Sequence, residues 1–257
     1  MPSYSARGLV LKKTKLGETD LIVTLFAETG QQIRAIAKGA RRPGSKLGSH
    51  LELYSVVDLL LHTGKSLDII TEAKSWVTNE ACRRDIEHSA AAAVVVELLD
   101  KVSRDNDVEA RLFSLSLEAL RCIGDVDRCG LELIAAAHIL KTSAQLGYRP
   151  ALDSCAVCGS SMTIKEGLQY PFSMLEGGIQ CPSCRRSGYL DTTVIMDSVR
   201  IIWAKTLLQS RFRDLEQYCA PEYADVGVKM LYFAQDWLRA HSIAKLKSLD
   251  FLVNLDA

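Results

Sequence analysis

Asp20-Leu-Ile-Val-Thr-Leu-Phe-Ala27 and Gln31-Gln-Ile-Arg-Ala-Ile-Ala-Lys38 are the runs whose reading decides the fold. The first is β-branched and aromatic, a composition that suits a pleated, half-buried surface. The second alternates, with Ile33, Ala35 and Ala37 on one face and Arg34, Ile36 and Lys38 on the other. Thr29-Gly30 between them supplies a turn. Upstream, residues 6–14 form a short apolar stretch that ends in Lys12 and Lys13. Downstream, residues 52–62, with Leu-Tyr-Ser-Val-Val-Asp-Leu-Leu-Leu-His at 53–62, and residues 67–76 read as two more strands. Leu16-Gly17-Glu18 and Thr63-Gly64-Lys65 mark the remaining turns.

Five strands in about 75 residues, joined by short connections, predict a small closed or partly open barrel, for which the five-stranded OB fold is the candidate. Beyond residue 80 the composition turns helical. Residues 89–102 (SAAAAVVVELLDKV) are strong helix formers with Ser89 placed to cap them. Residues 108–123 set Leu112, Leu115, Ala119 and Ile123 at helical spacing. Residues 129–146 do the same with Leu133, Ala136, Ala137 and Leu140, and stop at Gly147 followed by Pro150. A Gly-rich, loop-like insert follows. Helical patterning resumes over 193–208 and 223–241, with Ile201, Trp203, Leu207, Met230, Tyr232, Phe233 and Trp237 as apolar anchors. The apolar tail, 246–255, is expected to dock on that core. The expected class is α+β and multidomain: an OB-fold barrel at 1–80, a helical domain at 81–150, an inserted four-Cys segment at 151–190, and the helical domain continued at 191–257.

The totals bound the possibilities. With 257 residues, 48% of them hydrophobic, the chain can bury a sizeable core. Its longest apolar candidate, 89–99, falls short of the ~18 residues that span a bilayer, and Glu97 interrupts it. The opening MPSYSARGLVLKK lacks the apolar region of a signal peptide, so a cytoplasmic location is expected. Net charge is zero but unevenly spread. Residues 1–50 hold nine Lys/Arg and three Asp/Glu, a balance of +6, and the rest of the chain carries −6. A basic N-terminal module on an acidic body points to an anionic partner.

Cys155-Ala-Val-Cys158-Gly159 is followed, after 22 residues, by Cys181-Pro-Ser-Cys184. A CxxC pair on a tight turn presents two sulfurs to one ion, and two such knuckles complete a tetrahedron of thiolates. Gly159 and Gly188 fit the turns required. The spacing is close to a zinc signature. A closed four-sulfur shell leaves no open position, so the expected ion is structural Zn2+. A redox dithiol calls for one CxxC opening a helix after a strand, which is absent here, and an iron–sulfur cluster is the other rival. Cys82, Cys122, Cys129 and Cys219 read as small buried hydrophobes.

The second motif is Ala37-Lys38-Gly39-Ala40-Arg41-Arg42-Pro43-Gly44-Ser45-Lys46, with four cations in nine residues. At this density Lys and Arg repel one another unless an anion relieves them, and phosphate oxygens do so. Lys12, Lys13, Lys15 and Arg34 lie on neighbouring segments and can extend the patch. A plain solvated loop is the competing reading. The segment is not a P-loop, since GxxxxGK[ST] does not occur. Stacking partners are sparse in this module (Tyr4, Phe26, Tyr54 and Trp76), so binding would rest on phosphates with little sequence preference.

Signs of catalysis are missing. Of His50, His62, His88, His138 and His241, none belongs to HExxH, and His138 sits in an apolar helix as a core residue. Asp58 and Asp68 fall within strand patterns, and no GxSxG elbow occurs. The chain is not expected to be an enzyme.

Together Gly17-Glu-Thr-Asp20 before an apolar strand, the AKGARRPGS segment at 37–45, and LGYRPALDSCAVCG at 146–159 leading to CPSC resemble the bacterial RecO family of DNA-repair proteins, over nearly the whole chain. The resemblance implies an N-terminal OB fold, a central helical domain and a zinc segment inserted among helices. It implies a recombination mediator that binds single- and double-stranded DNA and anneals complementary strands coated by single-stranded DNA-binding protein (SSB). Such a mediator works with RecR, often with RecF, to load RecA, and is associated with the bacterial nucleoid. DNA contact carries over to Lys38, Arg41, Arg42 and Lys46, with Arg34 and Lys12 as neighbours. Some relatives lack the cysteines, so zinc is not essential to the activity across the family. The alternative is a zinc-stabilised protein-interaction scaffold without direct DNA binding.

Overall fold

Strand β1 (Ser3–Leu16) is long enough to serve two neighbours, and that closes the barrel. The computed structural model describes residues 2–103, 110–186 and 193–255. The first half of β1 pairs with β4 (Val56–His62) and the second with β2 (Asp20–Ala27), both antiparallel. A register shift between Val10 and Lys12 lets β1 bend from one partner to the other. β2 pairs with β3 (Gln32–Ala37), β3 runs parallel to β5 (Asp68–Val77), and β5 returns to β4. The result is a closed five-stranded, OB-type barrel of order β1-β2-β3-β5-β4.

Alternation sorts the side chains. Val10, Val23, Leu25, Ala35, Val57, Leu59, Leu61 and Ile70 fill the interior. Each such burial contributes about 1.5–3 kcal/mol for the larger side chains. The strand expected from residue 52 starts later, at Val56, because Ser55 N donates to Glu52 O and Tyr54 takes a left-handed φ of 71°. A short helix, α1 (Lys46–His50), follows the basic loop, with Ser45 capping it through Gly48 N.

The chain forms two compact units, Met1–Asp125 and Val126–Ala257. In the first, α2 (Ile86–Val102) covers part of β1 and β2 from outside. Leu9 and Phe26 face each other in the ladder, out of phase with the interior residues, and both are fully buried. Gln32 Nε2 ties the same edge to Asp100 O at 3.2 Å and Ser103 Oγ at 3.0 Å. Asp85, not Ser89, caps α2: its carboxylate accepts from His88 N, while Ser89 Oγ donates to Cys82 O. The helix α3 (Arg111–Asp125) packs on α2 through an amphipathic face that includes Leu112, Ala119, Leu120 and Ile123. Residue 108, where that helix was expected to begin, lies outside the described residues.

In the second unit, α4 (Leu131–Gln145) is buried nearly all round and is the element others pack against. It ends where the sequence places its stop, with Gly147 at φ +91°. The insert carries a small sheet of order β7-β6-β8, made of β6 (Gln169–Ser173), β7 (Gly178–Ile179) and β8 (Thr193–Asp197), and a short helix, α5 (Pro182–Arg186). The helix expected from 193 therefore starts five residues later: α6 (Ser198–Gln209) is capped by Asp197, which accepts from Arg200 N. Thr193, Val194 and Ile195 are β-branched, and the strand they open finds a backbone partner in β6. After the short α7 (Phe212–Leu215), α8 (Ala224–Ala240) lies against α4. A Cβ on Gly227 would come within 3.3 Å of Glu132 Cβ, so the small residue sets that spacing. Trp237 is fully buried beside Phe172 and Phe233, but Tyr232 is half exposed and is not the core anchor expected. The tail docks as α9 (Lys247–Val253), burying Leu249 and Leu252.

Candidate nucleic-acid interface and metal centre

The ladder places the barrel's cations. Lys12 pairs with Thr24, and Thr24 with Arg34, so Lys12 and Arg34 flank Thr24 on one outer row. Lys38 follows in the turn just past the end of β3. Lys12, Arg34, Lys38, Arg41, Arg42 and Lys46 are all exposed, with Lys46 the first residue of α1. Lys13 is committed elsewhere, to Glu52 at 2.8 Å.

The loop is built rather than loose. Gly39 (φ +66°) and Gly44 (φ +74°) adopt backbone that other residues resist. Gly39 N donates to Asp20 Oδ1 at 2.8 Å. Arg42 N donates to Gly39 O and Ser45 N to Arg42 O, at 3.1 and 3.0 Å. Arg41 spends Nη1 on the carbonyls of Gly17 (3.1 Å) and Glu18 (2.9 Å), and its N–H on Thr19 O (2.9 Å). The Gly39 amide, then the Thr19 hydroxyl, then Arg42 and Lys38, hold the Asp20 carboxyl below the usual carboxylate range against the opposing effect of burial. The cations and the turn at Gly17 are legible in the sequence, but the part that Asp20 and the turn carbonyls play in holding the loop is not. The Gly-Glu-Thr-Asp motif was the available signal.

Of the module's aromatics, Phe26 and Tyr54 are buried, which leaves Tyr4 and Trp76 at the surface. One face of Trp76 carries the Arg7 guanidinium 4.2 Å above it, and Arg7 is in turn held by Asp58 at 2.7 Å.

The four cysteines of the insert converge: their Sγ atoms all lie within 4.8 Å of one another. Among the described residues this is the one group of three or more Cys, His, Asp or Glu side chains so arranged. The first knuckle is closed by Gly159 N donating to Cys155 O, with Gly159 at φ +73°. Ala156 N bonds Ile179 O and holds that knuckle to β7. Gly178 has to be glycine, since a Cβ there would lie 2.3 Å from Ala151 O. Backbone amides point at the sulfurs: Cys181 N to Cys155 Sγ at 3.3 Å and Cys184 N to Cys181 Sγ at 3.5 Å. Ser160 Oγ, unforeseen in the sequence, lies 3.2 Å from Cys158 Sγ. Gly188, expected at a turn after the second knuckle, is outside the described residues.

Electrostatics favour a cation in the cluster. Burial opposes ionisation of Cys155, yet the amides of Cys181, Cys158 and Val157 overcome it and hold that thiol down at about 6. Cys184, beside the sulfurs of Cys158 and Cys181, is pushed up to about 12. Four thiols this close cannot all ionise alone, and a dication removes the conflict. The histidines form no comparable group. His50 Nδ1 meets Ser75 Oγ at 2.9 Å, His88 Nδ1 meets Asp85 Oδ1 at 2.6 Å, and His138 is wholly buried.

Two family models match in succession, Recombination protein O N terminal over residues 1–77 and Recombination protein O C terminal over 83–190. The DNA repair protein RecO of Frankia casuarinae is 37% identical over 190 residues, covering 73% of this chain and 76% of that protein. The protein of the same name from Desulfitobacterium hafniense is 34% identical over 188 residues, 73% and 67% of the two chains. That from Thermobifida fusca is 34% identical over 190 residues, 73% and 76%. With both family segments matched in order, and relatives at this identity across about two thirds or more of their length, the chain belongs to the RecO family of DNA repair proteins.

Proposed function

We propose that this protein is a DNA-binding recombination mediator in DNA repair, without catalytic chemistry of its own. The observation that carries the reading is the pair of exposed cations on the outer face of the barrel, Lys12 and Arg34, with the exposed Lys38 just past the end of β3, in a chain of this family. With Arg42 and Lys46 close by in sequence, that face neutralises phosphates and releases counterions, which favours both single and double strands with little base preference. Neutralising two strands at once lowers their mutual repulsion, and so complementary strands anneal. In this reading the protein acts in the bacterial cytoplasm at the nucleoid, on SSB-coated DNA. There it works with RecR, and indirectly RecF, to help load RecA.

The cysteine cluster fits structural zinc. Cys155, Cys158, Cys181 and Cys184 would hold Zn2+, which supplies folding energy to a segment too small for its own core. The four-sulfur shell leaves the ion no position for a substrate.

The test is fluorescence anisotropy of labelled single- and double-stranded oligonucleotides, with an annealing assay on complementary strands. Wild type should bind both and speed annealing. The Lys38→Ala/Arg41→Ala/Arg42→Ala protein should bind weakly. Wild-type protein that neither binds nor anneals DNA at low salt would end this reading in favour of a zinc-stabilised scaffold for protein partners.

A further inference from the structure

The basic loop is locked to the turn between β1 and β2 by contacts that the density of cations alone does not predict. Asp20 accepts the Gly39 amide, and Thr19 O accepts the Arg41 amide. The Arg41 guanidinium grips two successive carbonyls, those of Gly17 and Glu18. On the far side, α1 comes so close that a Cβ on Gly48 would sit 2.0 Å from Ala40 O. The loop is thus pinned at Gly39, Ala40 and Arg41.

We propose that Asp20 and Arg41 are positioning residues of the DNA-binding face: they hold the loop in place, while Lys38 and Arg42, with Lys12 and Arg34, meet the phosphates. This rests on the DNA-binding reading above. Three physical arguments support it. Lys38, Arg41, Arg42 and Lys46 crowd nine residues, and an unanchored loop of this kind would splay and lose conformational entropy on binding. The Asp20 carboxylate, in the field of Arg42 and Lys38, offsets their repulsion before DNA arrives. Arg41 could give a phosphate its Nη1 protons only by releasing both turn carbonyls, so its charge serves the scaffold first.

The sign of one substitution separates this from simple electrostatics. Removing a carboxylate beside a phosphate-binding surface should, on charge alone, tighten DNA binding. Removing an anchor should loosen it. The experiment measures anisotropy of a labelled single-stranded oligonucleotide across salt for wild type, Asp20→Ala, Asp20→Asn, Arg41→Ala and Lys38→Ala. Hydrogen exchange of the 38–46 backbone and circular dichroism are followed in parallel. Asp20→Ala should weaken binding roughly tenfold, the size of a lost charge-assisted hydrogen bond, and speed exchange in the loop. Asp20→Asn should recover binding, because its amide oxygen accepts the same N–H. Arg41→Ala should weaken binding at an unchanged salt slope, whereas Lys38→Ala should lower the slope by roughly 0.7. If Asp20→Ala does not fold, Asp20→Asn and the Arg41→Ala slope decide. Tighter binding by both Asp20 variants, or a slope loss in Arg41→Ala equal to that of Lys38→Ala, would overturn the inference. Wild type that fails to bind would overturn the function as well.

Discussion

Cys158 Sγ and Cys181 Sγ lie 3.8 Å apart, one from each knuckle. Zinc–thiolate bonds of about 2.3 Å in a tetrahedron place sulfurs about 3.8 Å from one another, so this pair already spans one edge. The purified protein should therefore carry one zinc per chain, measured by elemental analysis. Cys158→Ser should lower that content sharply. Chelation should unfold the insert before the barrel, seen as early proteolytic cleavage within 151–186 while 1–77 stays intact. Full metal loss with no change in cleavage would mean that the ion does not hold the segment together.

The Lys12–Thr24–Arg34 row makes a graded forecast for DNA. Lys12→Ala and Arg34→Ala should each reduce the single-strand salt slope by roughly 0.7, and the double variant by about twice that. Lys13→Ala should have a smaller effect, since Lys13 is already paired with Glu52. Salt titrations of binding affinity check all four proteins. An Arg34→Ala slope identical to wild type would move the interface off this face.

How much of this was legible in the sequence varies with the range of the contacts involved. β2 has the bounds its own residues predict, and the alternation at β3 buries Ala35 and Ala37 while exposing Arg34. A period of two on a closed barrel leaves little freedom. The two CxxC pairs were equally plain, because ligand spacing is local. The strand at 193–197 was hidden, since Val194 and Ile195 are both about half exposed and show no alternation. Its pairing with β6 is decided twenty or more residues upstream. The Arg41 clamp was hidden for a similar reason: its acceptors are carbonyls 23 and 24 residues away, and a backbone carbonyl has no sequence signature.

Trp237 is the largest of the fully buried side chains, and its Nε1 donates to Tyr148 O at 3.0 Å. Its ring also contacts Phe172, Phe233 and His241. Trp237→Ala should destabilise the second unit by about 3–5 kcal/mol, the usual cost of emptying such a site. Trp237→Phe should cost less, since it keeps most of the apolar contact and loses mainly the hydrogen bond. Urea unfolding followed by circular dichroism should rank the three proteins in that order. Equal stability of Trp237→Ala and wild type would show that this aromatic cluster does not support the unit.

His138, fully buried in α4, gives acid stability one contribution that can be tested at a single side chain. Burial lowers its pKa from 6.5 to about 3. In the unfolded chain the imidazole takes its proton near 6.5, whereas in the fold it stays neutral until near 3. Between those values the unfolded state binds the extra proton, so stability falls as pH drops, by up to about 1.4 kcal/mol per pH unit. Above 6.5 both states hold neutral histidine and the effect is absent. His138→Leu removes the titration and should flatten the fall in stability between pH 6.5 and 4, measured by urea midpoints. Protonation of the zinc ligands acts on both proteins alike, so the difference between their slopes belongs to His138. Parallel slopes would mean that the buried histidine does not set the acid limit.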